Sequence, residues 1–232
     1  MFQTILFDLD NTLLGDAAGE FIPAYFEALS NHLAPTIGKS LALQGLMAAS
    51  EAMDADVQTA VSNHDIFWQV FKRVTGYDQE MEAPLFYRDI YPQLESFTQK
   101  RPVARELMTY CFAQGWKVAI ATKPVFPLVA IRERLRWAGV PMNDFDYARV
   151  TTYENSTAVK PHLFYYQQIL QEIGSVPADA LMVGDSWEMD IEPAAALGMS
   201  AYWINDHAAP PDSDLVVGYG TLDDFFTYLQ QL

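Results

Sequence analysis

The chain has 232 residues, of which 50% are hydrophobic and 13% aromatic, enough for one large domain or for a core with a smaller insertion. Its formal net charge of −16 argues against nucleic-acid binding, which depends on clustered lysine and arginine. The same charge repels anionic substrates, so any phosphate site must be built locally from a cation, a few lysines and backbone amides.

Compartment signals in the sequence favour the cytoplasm. The single cysteine, Cys111, excludes an internal disulfide and is typical of a reducing compartment. Its place in a helical pattern, far from any strand end, predicts a core side chain. No apolar stretch approaches the ~18 residues of a membrane span, and no cationic segment precedes the first apolar run. We therefore expect a cytoplasmic protein with no membrane partner.

The first predicted element is a buried strand that ends in polar residues. The run Thr4–Phe7 is rich in branched and aromatic side chains, which favours a buried strand. Asp8, Asp10 and Thr12 follow where this strand ends. Open parallel sheets bind ligands at the carboxyl ends of their strands, and two neighbouring carboxylates need a cation or a proton to compensate them. The stretch therefore predicts a functional site.

The next segment, from Gly15 to about Phe97, shows helical patterns and no strand pattern comparable to the first. Periodic apolar faces predict four helices, at residues 21–33, 40–53, 66–74 and 80–94. We predict that residues 16–97 form a helical insertion directly above the crevice at Asp8 and Asp10. Residues 1–15 and 98–232 then form the core.

Strand and helix patterns alternate after this insertion. Strands are predicted at residues 117–121, 180–183, 200–204 and 215–217. Helices are predicted at 103–113 and 163–173, before Gly198, and after Thr221, whose spacing to Asp224 matches a capping box. Apolar strands that alternate with helices predict an α/β fold, with a parallel sheet covered by helices on both faces.

Further polar residues lie at predicted strand or helix ends. Thr122 follows one strand, Gly184, Asp185, Ser186 and Asp190 follow another, and Lys160 with Pro161 precedes a helix. Together with the D-x-D-x-T stretch after the first strand, this ordered set resembles the haloacid dehalogenase superfamily. The resemblance is strongest to its phosphatase branch, which has a helical cap inserted after the first motif. It covers the whole chain and implies a Rossmann-like core with a cap domain.

The resemblance implies a role for each acidic residue. Asp8 would be the nucleophile that takes up the phosphoryl group as an aspartyl-phosphate, and Asp10 the general acid and base. The implied cofactor is Mg²⁺, bound by the side chains of Asp8 and Asp185 and by the backbone oxygen of Asp10. Asp190 would support this site without binding the metal directly.

Four residues are predicted to bind the substrate: Asn11, Thr122, Lys123 and Lys160. Thr122 would hold a phosphoryl oxygen through its hydroxyl, and Lys160 would offset charge on the nucleophile and the phosphate. Lys123 stands where relatives often have asparagine, and its ammonium would either help hold an anionic substrate or extend into water. Both lysines precede a proline, and the interval to Asp185 favours Lys160 as the catalytic one.

These inferences predict Mg²⁺-dependent hydrolysis of a small phosphorylated metabolite, a phosphate monoester. A phosphomutase shares all four motifs and stays open as an alternative, as does a weakly catalytic protein that binds such a metabolite. A true dehalogenase fits less well, because that branch does not keep Asp10 as acid and base. A phosphonate hydrolase needs an imine-forming cap lysine, and nothing singles out either candidate, Lys39 or Lys72. The physiological substrate and the oligomeric state are left open.

Overall fold

A computed structural model of the chain describes residues 2–16, 19–55, 60–77, 83–206 and 208–232. The predicted start of the fourth inserted helix, at Glu80, lies outside these ranges. His207 also lies outside them. No helix within the described ranges combines the length and the apolar character that a membrane crossing requires.

Eight strands are described. They are β1 (Thr4–Phe7), β2 (Leu14–Asp16), β3 (Thr98–Lys100), β4 (Lys117–Ile120), β5 (Arg149–Val150), β6 (Ala180–Gly184), β7 (Ser200–Ile204) and β8 (Gly218–Gly220). Six of them form one sheet in the order β5-β4-β1-β6-β7-β8, and all neighbouring pairs run parallel. The order reverses direction at β1, so the carboxyl ends of β1, β4 and β6 meet at the switch point where such sheets bind ligands.

Nine helices surround and extend this sheet among the described residues. They are α1 (Phe21–Ile37), α2 (Lys39–Ala55), α3 (Asn63–Thr75), α4 (Ala83–Asp89), α5 (Val103–Ala113), α6 (Leu128–Trp137), α7 (Leu163–Glu172), α8 (Glu192–Ala196) and α9 (Leu222–Leu229). Short 3-10 turns occur at Tyr91–Phe97, Pro177–Asp179 and Ser213–Leu215, and a single π-helical turn at Trp187–Ile191. The α/β fold predicted from the sequence is confirmed.

Helices cover both faces of the sheet because the strand side chains alternate between two cores. Ile5 and Phe7 of β1 belong to the larger hydrophobic cluster, which includes side chains from α5, α6 and α9. Leu6 points to the other face and joins a cluster with side chains from α7 and α8. Cys111 lies fully buried in the first cluster, as predicted.

The predicted strand at residues 215–217 is wrong. Ser213–Leu215 form a 3-10 turn, and the last strand is β8, which pairs with β7. A Cβ at position 218 would lie 2.7 Å from the Tyr202 ring, so glycine is required where β8 approaches β7. The branched residues of 215–217 have the higher local strand propensity, yet the ladder with β7 runs from Gly218 to Gly220, and the N–H of Val217 donates to the carbonyl of Ala201 just before it.

Three further features were not predicted. The strands β2 and β3 pair antiparallel on either side of the stretch from α1 to the 3-10 turn at Tyr91–Phe97, which holds the predicted insertion, so the two ends of this stretch run side by side. Helix α6 and strand β5 have no counterpart among the predicted elements. Helix α1 continues past the predicted end at residue 33 to Ile37, with Pro35 in its last turn. The capping box of α9, from Thr221 to Asp224, is confirmed.

Candidate active site

Three carboxylates come together at the carboxyl ends of β1 and β6. Asp8 directly follows β1, Asp185 follows β6, and Asp190 lies on the π-helical turn after β6. One carboxylate oxygen of each lies within 4.8 Å of the others. The backbone N–H of Asp8 donates to the carbonyl of Val183 at 2.9 Å, which holds the two strand ends together. The two predicted side-chain metal ligands are thus neighbours, with Asp190 beside them.

Lys160 lies buried between two of these carboxylates. Its Nζ donates to Asp8 Oδ1 at 2.7 Å and to Asp190 Oδ1 at 2.5 Å. Burial lowers the pKa of Lys160, but Asp190 and Asp8 outweigh this effect and hold the pKa well above its ordinary value. The lysine is therefore a permanent cation at the site, and it contacts the residue predicted to be the nucleophile. Lys123 makes no such contact.

Two of the carboxyl groups are held partly neutral by their surroundings. Burial, with the nearby charge of Asp8, raises the pKa of Asp185 to about 7. Burial also raises the pKa of Asp190 to about 7, although Lys160 opposes this shift. A site that raises carboxyl pKa values in this way is short of positive charge. An additional cation beside Lys160 would offset this shortage.

Asp190 is fixed from its own turn. The backbone N–H of Ser186 donates to Asp190 Oδ2 at 3.1 Å. A Cβ at Gly184 would lie 2.7 Å from the Cβ of Asp190, so only glycine at the end of β6 leaves room for this side chain. The first position of the Gly-Asp-Ser motif therefore requires glycine because Asp190 packs against it, a contact that the sequence alone does not reveal.

Asp10 stands apart from the carboxylate cluster. Its side chain is half exposed and forms an ion pair through Oδ1 with Nη2 of Arg134. The chain turns sharply after it, with Asn11 at φ 57°, and the N–H groups of Leu13 and Leu14 both donate to the carbonyl of Leu9. The Asp10 carboxylate is therefore not part of the cluster that Asp8, Asp185 and Asp190 form.

Arg134 on α6 is a site residue that the sequence reading missed. It is fully buried, and its guanidinium carbon lies 5.1 Å from the ring centroid of Phe21 and 4.9 Å from that of Phe126. Burial lowers its pKa to about 9, while Asp8 raises it, so it remains charged at neutral pH. The available signal was its position in the apolar stripe of α6, where it is buried together with Ile131 and Leu135.

The loop after β4 carries Thr122, whose side chain is buried. Its carbonyl accepts hydrogen bonds from Thr151 Oγ1 at 2.7 Å and from the Tyr165 hydroxyl at 2.8 Å. These bonds fix the backbone from which the predicted phosphate-binding hydroxyl projects. Asn11, in contrast, is exposed and lines a cleft of about 290 Å³ together with Arg101, Asp185, Trp203, Ile204, Asn205 and Asp206.

Lys123 makes a contact that neither interpretation of the sequence anticipated. Its Nζ lies 2.8 Å from Asp54 Oδ1, on α2 of the inserted segment. The two residues are 69 positions apart in the chain, and both side chains are partly exposed. In this structure the ammonium of Lys123 joins the inserted helices to the loop after β4.

A second contact fastens the inserted helices to the loops of the site. Asn63 at the start of α3 is fully buried, and its Nδ2 donates to the carbonyls of Pro124 at 3.0 Å and Ala158 at 3.3 Å. Its backbone N–H donates to the carbonyl of Ser156 at 2.9 Å. The loops that carry Thr122 and Lys160 are therefore both tied to the same helix end.

Comparison with known families decides the identity of the fold. The family model described as haloacid dehalogenase-like hydrolase matches residues 2–198, a range that includes all the motif residues above. The chain belongs to this family. It is therefore a hydrolase of the haloacid dehalogenase (HAD) type. No curated protein gives a significant match.

Solved structures of the HAD family match almost end to end. A HAD phosphatase from Thermococcus onnurineus is 24% identical, with 98% of each chain covered and a TM-score of 0.64. The L-2-haloacid dehalogenase from Xanthobacter autotrophicus is 14% identical, with 100% of each chain covered and a TM-score of 0.60. A HAD family hydrolase from Deinococcus radiodurans R1, solved with bound phosphate and sodium, is 17% identical. The match covers 99% of this chain and 96% of the Deinococcus chain, with a TM-score of 0.57. At these identities the likeness shows the fold alone.

Proposed function

We propose that this HAD hydrolase is a Mg²⁺-dependent phosphatase, which hydrolyses a small phosphate monoester through an aspartyl-phosphate on Asp8. The observation that carries the proposal is the buried Lys160, 2.7 Å from Asp8 Oδ1 and 2.5 Å from Asp190 Oδ1, within a cluster of three carboxylates. The phosphatase from Thermococcus onnurineus and the phosphate bound in the Deinococcus hydrolase support phosphate as the reacting group.

The donor set suits Mg²⁺. Asp8 and Asp185 offer carboxylate oxygens, and the backbone of Asp10 offers a carbonyl oxygen. Oxygen ligands of this kind are those that Mg²⁺ prefers. The raised pKa of Asp185, caused by burial and by Asp8, indicates a need for positive charge that a dication would meet. When bound, the ion supplies charge that offsets repulsion between Asp8 and the phosphoryl oxygens.

The residues of the chain divide the reaction into two steps. In the first, a carboxylate oxygen of Asp8 attacks phosphorus in line with the leaving oxygen, and Asp10 donates a proton to that oxygen as its bond to phosphorus breaks. In the second, Asp10 takes a proton from water, which attacks the aspartyl-phosphate and releases phosphate. Lys160 orients Asp8, and the hydroxyl of Thr122 binds a phosphoryl oxygen.

We also propose that residues 16–97 act as the cap over this site. The chain leaves the core through β2 and returns through β3, and it contacts the site loops through Asp54 and Asn63. Because these contacts hold the segment against the loop after β4, its side chains would contact the leaving group. A cytoplasmic location is part of the same proposal.

A panel of phosphate monoesters tests this function in the presence of Mg²⁺. We expect turnover of at least one ester, and a loss of about 100-fold or more in kcat for Asp8→Asn and for Asp10→Asn. The exposed Asp223→Asn on α9 serves as the matched control and keeps full activity. Near wild-type activity in folded Asp8→Asn would overturn the mechanism, and isomer formation that depends on a sugar bisphosphate would assign the site to a phosphomutase.

A further inference from the structure

We propose that Arg134 is a positioning residue for Asp10, holding its carboxylate in the orientation from which it protonates the leaving oxygen. The inference rests on the proposed function, since that function makes Asp10 the general acid. It concerns only the step in which the leaving group departs. Arg134 itself contacts neither the substrate nor the metal in this assignment, and it acts through Asp10.

The first observation is that Asp10 depends on Arg134 for its orientation. The Asp10 side chain is 42% exposed, and Arg134 Nη2 contacts its Oδ1. Within the part of the chain that the structure describes, no other side chain pairs with this carboxylate. A short side chain at the surface rotates freely unless a fixed partner restrains it. Removing Arg134 would therefore leave the Asp10 carboxylate free to turn into water.

The second observation is that Arg134 itself cannot move easily. Its guanidinium is enclosed by the rings of Phe21, at the start of α1, and Phe126, in the loop after β4. The arginine is fully buried on the face of α6 that packs into the core. A planar guanidinium held between aromatic rings is a rigid hydrogen-bond donor. Arg134 therefore transmits the packing of the inserted helices onto Asp10.

The third observation is that the Arg134 guanidinium is buried without a hydrogen bond. Among the described residues Nε, Nη1 and Nη2 all lack a hydrogen-bond partner, and Nη2 makes only its ion-pair contact with Asp10. A buried cation with unsatisfied donors carries a desolvation cost that an apolar side chain of similar size does not carry. A purely structural arginine at this position would be expected to satisfy those donors. The unmet donors favour a functional reason for the charge.

A positioning role makes a specific kinetic prediction. The leaving oxygen of an alkyl phosphate is basic and must be protonated as it departs. The leaving group of 4-nitrophenyl phosphate departs as a stabilised anion and needs little help from a general acid. The parameter kcat/KM reports the phosphoryl transfer to Asp8, in which the leaving group departs. Loss of Arg134 should therefore lower kcat/KM for an alkyl phosphate far more than for 4-nitrophenyl phosphate. A damaged fold would lower both alike.

The test compares Arg134→Met, Arg134→Lys and the control Arg136→Met. Arg136 lies on the same helix and pairs with Glu95 of the inserted segment at 3.0 Å, but it makes no contact with Asp10. For Arg134→Met we expect kcat/KM to fall about 10- to 100-fold with an alkyl phosphate and about 3-fold or less with 4-nitrophenyl phosphate. The larger loss is part of the ~100- to 10,000-fold effect that proton transfer contributes. Arg134→Lys should recover part of the loss, and Arg136→Met should change neither value.

Thermal unfolding gives an independent readout. We expect the melting temperature of Arg134→Met to equal or exceed that of the wild type, because a buried guanidinium with unsatisfied donors is removed and the Asp10 carboxylate left behind is 42% exposed, so no buried charge stays unpaired. An equal loss of kcat/KM for both esters, or a lower melting temperature together with such a loss, would overturn the inference. If Arg134→Met fails to fold, Arg134→Lys makes the same comparison between esters.

Asp10→Asn separates this inference from the proposed function. It must show the same dependence on the leaving group if Asp10 is the general acid. If Asp10→Asn lowers kcat/KM equally for both esters, the proposed role of Asp10 fails. If Asp10→Asn shows the dependence and the Arg134 variants do not, the phosphatase mechanism stands and the role of Arg134 is refuted.

Discussion

Replacing Lys160 by methionine removes the cation that separates Asp8 from Asp190. The side chains of Asp8, Lys160 and Asp190 are almost completely buried. The lysine Nζ lies 2.7 Å from Asp8 Oδ1 and 2.5 Å from Asp190 Oδ1. Breaking a buried ion pair by removing one partner costs about 3–5 kcal/mol of unfolding free energy, because the remaining charge stays desolvated. Methionine keeps the apolar stem of lysine, so the change isolates the charge.

The cost of Lys160→Met should depend on pH, and its sign follows from Asp190. Burial already raises the pKa of Asp190 to about 7 with the lysine present, and loss of Lys160 raises it further. A carboxyl group with a raised pKa in the folded state favours folding while it is protonated, and this stability is lost as the pH rises through that pKa. The variant should therefore lose stability more steeply than the wild type between about pH 5 and about pH 9.

Urea unfolding in the presence of a chelator measures this effect at about pH 5 and about pH 9. The matched control is Lys123→Met, since Lys123 forms an ion pair with Asp54 whose side chains are 31% and 47% exposed. An exposed pair contributes about 0–1 kcal/mol, with no trend across this pH range. A loss for Lys160→Met no larger than that of the control, or an equal loss at both pH values, would refute the reasoning.

Three further results are expected. Gly184→Ala places a Cβ 2.7 Å from the Asp190 Cβ and should lower the free energy of unfolding by about 1–3 kcal/mol. Urea unfolding measures this change, and an unchanged free energy would contradict the tight packing. Chelation should abolish hydrolysis, Mg²⁺ should restore it and Ca²⁺ should inhibit it, because Ca²⁺ takes a looser coordination; activity after exhaustive chelation would contradict the metal site. Lys123→Asn should raise KM more than it changes kcat, and the rise should be smaller at high ionic strength. Asp54→Asn should free the Lys123 ammonium from its ion pair and lower KM. Equal KM values for Lys123→Asn and the wild type at low salt would exclude a substrate role for Lys123.

The first strand and its carboxylates could be predicted because their signals are local. β1 is buried on both faces, so it reads as a continuous apolar run, and its observed bounds match the predicted ones. The meeting of Asp8 and Asp185 follows from the order of the parallel strands, which places the carboxyl ends of β1 and β6 side by side, whereas Lys160 contacts Asp8 from the segment before α7. The resemblance to the family indicated which strands those were.

The features that were missed depend on contacts between distant residues. In α6, Arg132, Arg134 and Arg136 follow one another at every second position, and only the rotation of the helix on the sheet decides which is buried. The pair of Lys123 and Asp54 spans 69 residues and leaves no local pattern.

Short strands were missed for the same reason. β2 and β3 have three residues each and exist by pairing with one another, across the whole inserted segment. A strand of this length has no periodicity to detect. β8 likewise exists by pairing with β7, from Gly218 opposite Tyr202 to Gly220 opposite Ile204, while the branched residues before it have the stronger local strand signal.

The covalent intermediate is the most direct test of the central claim. The enzyme is quenched in acid during turnover of its best phosphate monoester, and the phosphorylated peptide is identified by mass spectrometry. The account predicts one phosphoryl group on Asp8, present with Mg²⁺ and absent from Asp8→Asn and from the chelated enzyme. Turnover with an unmodified Asp8, or a phosphoryl group found on any other residue, would contradict it.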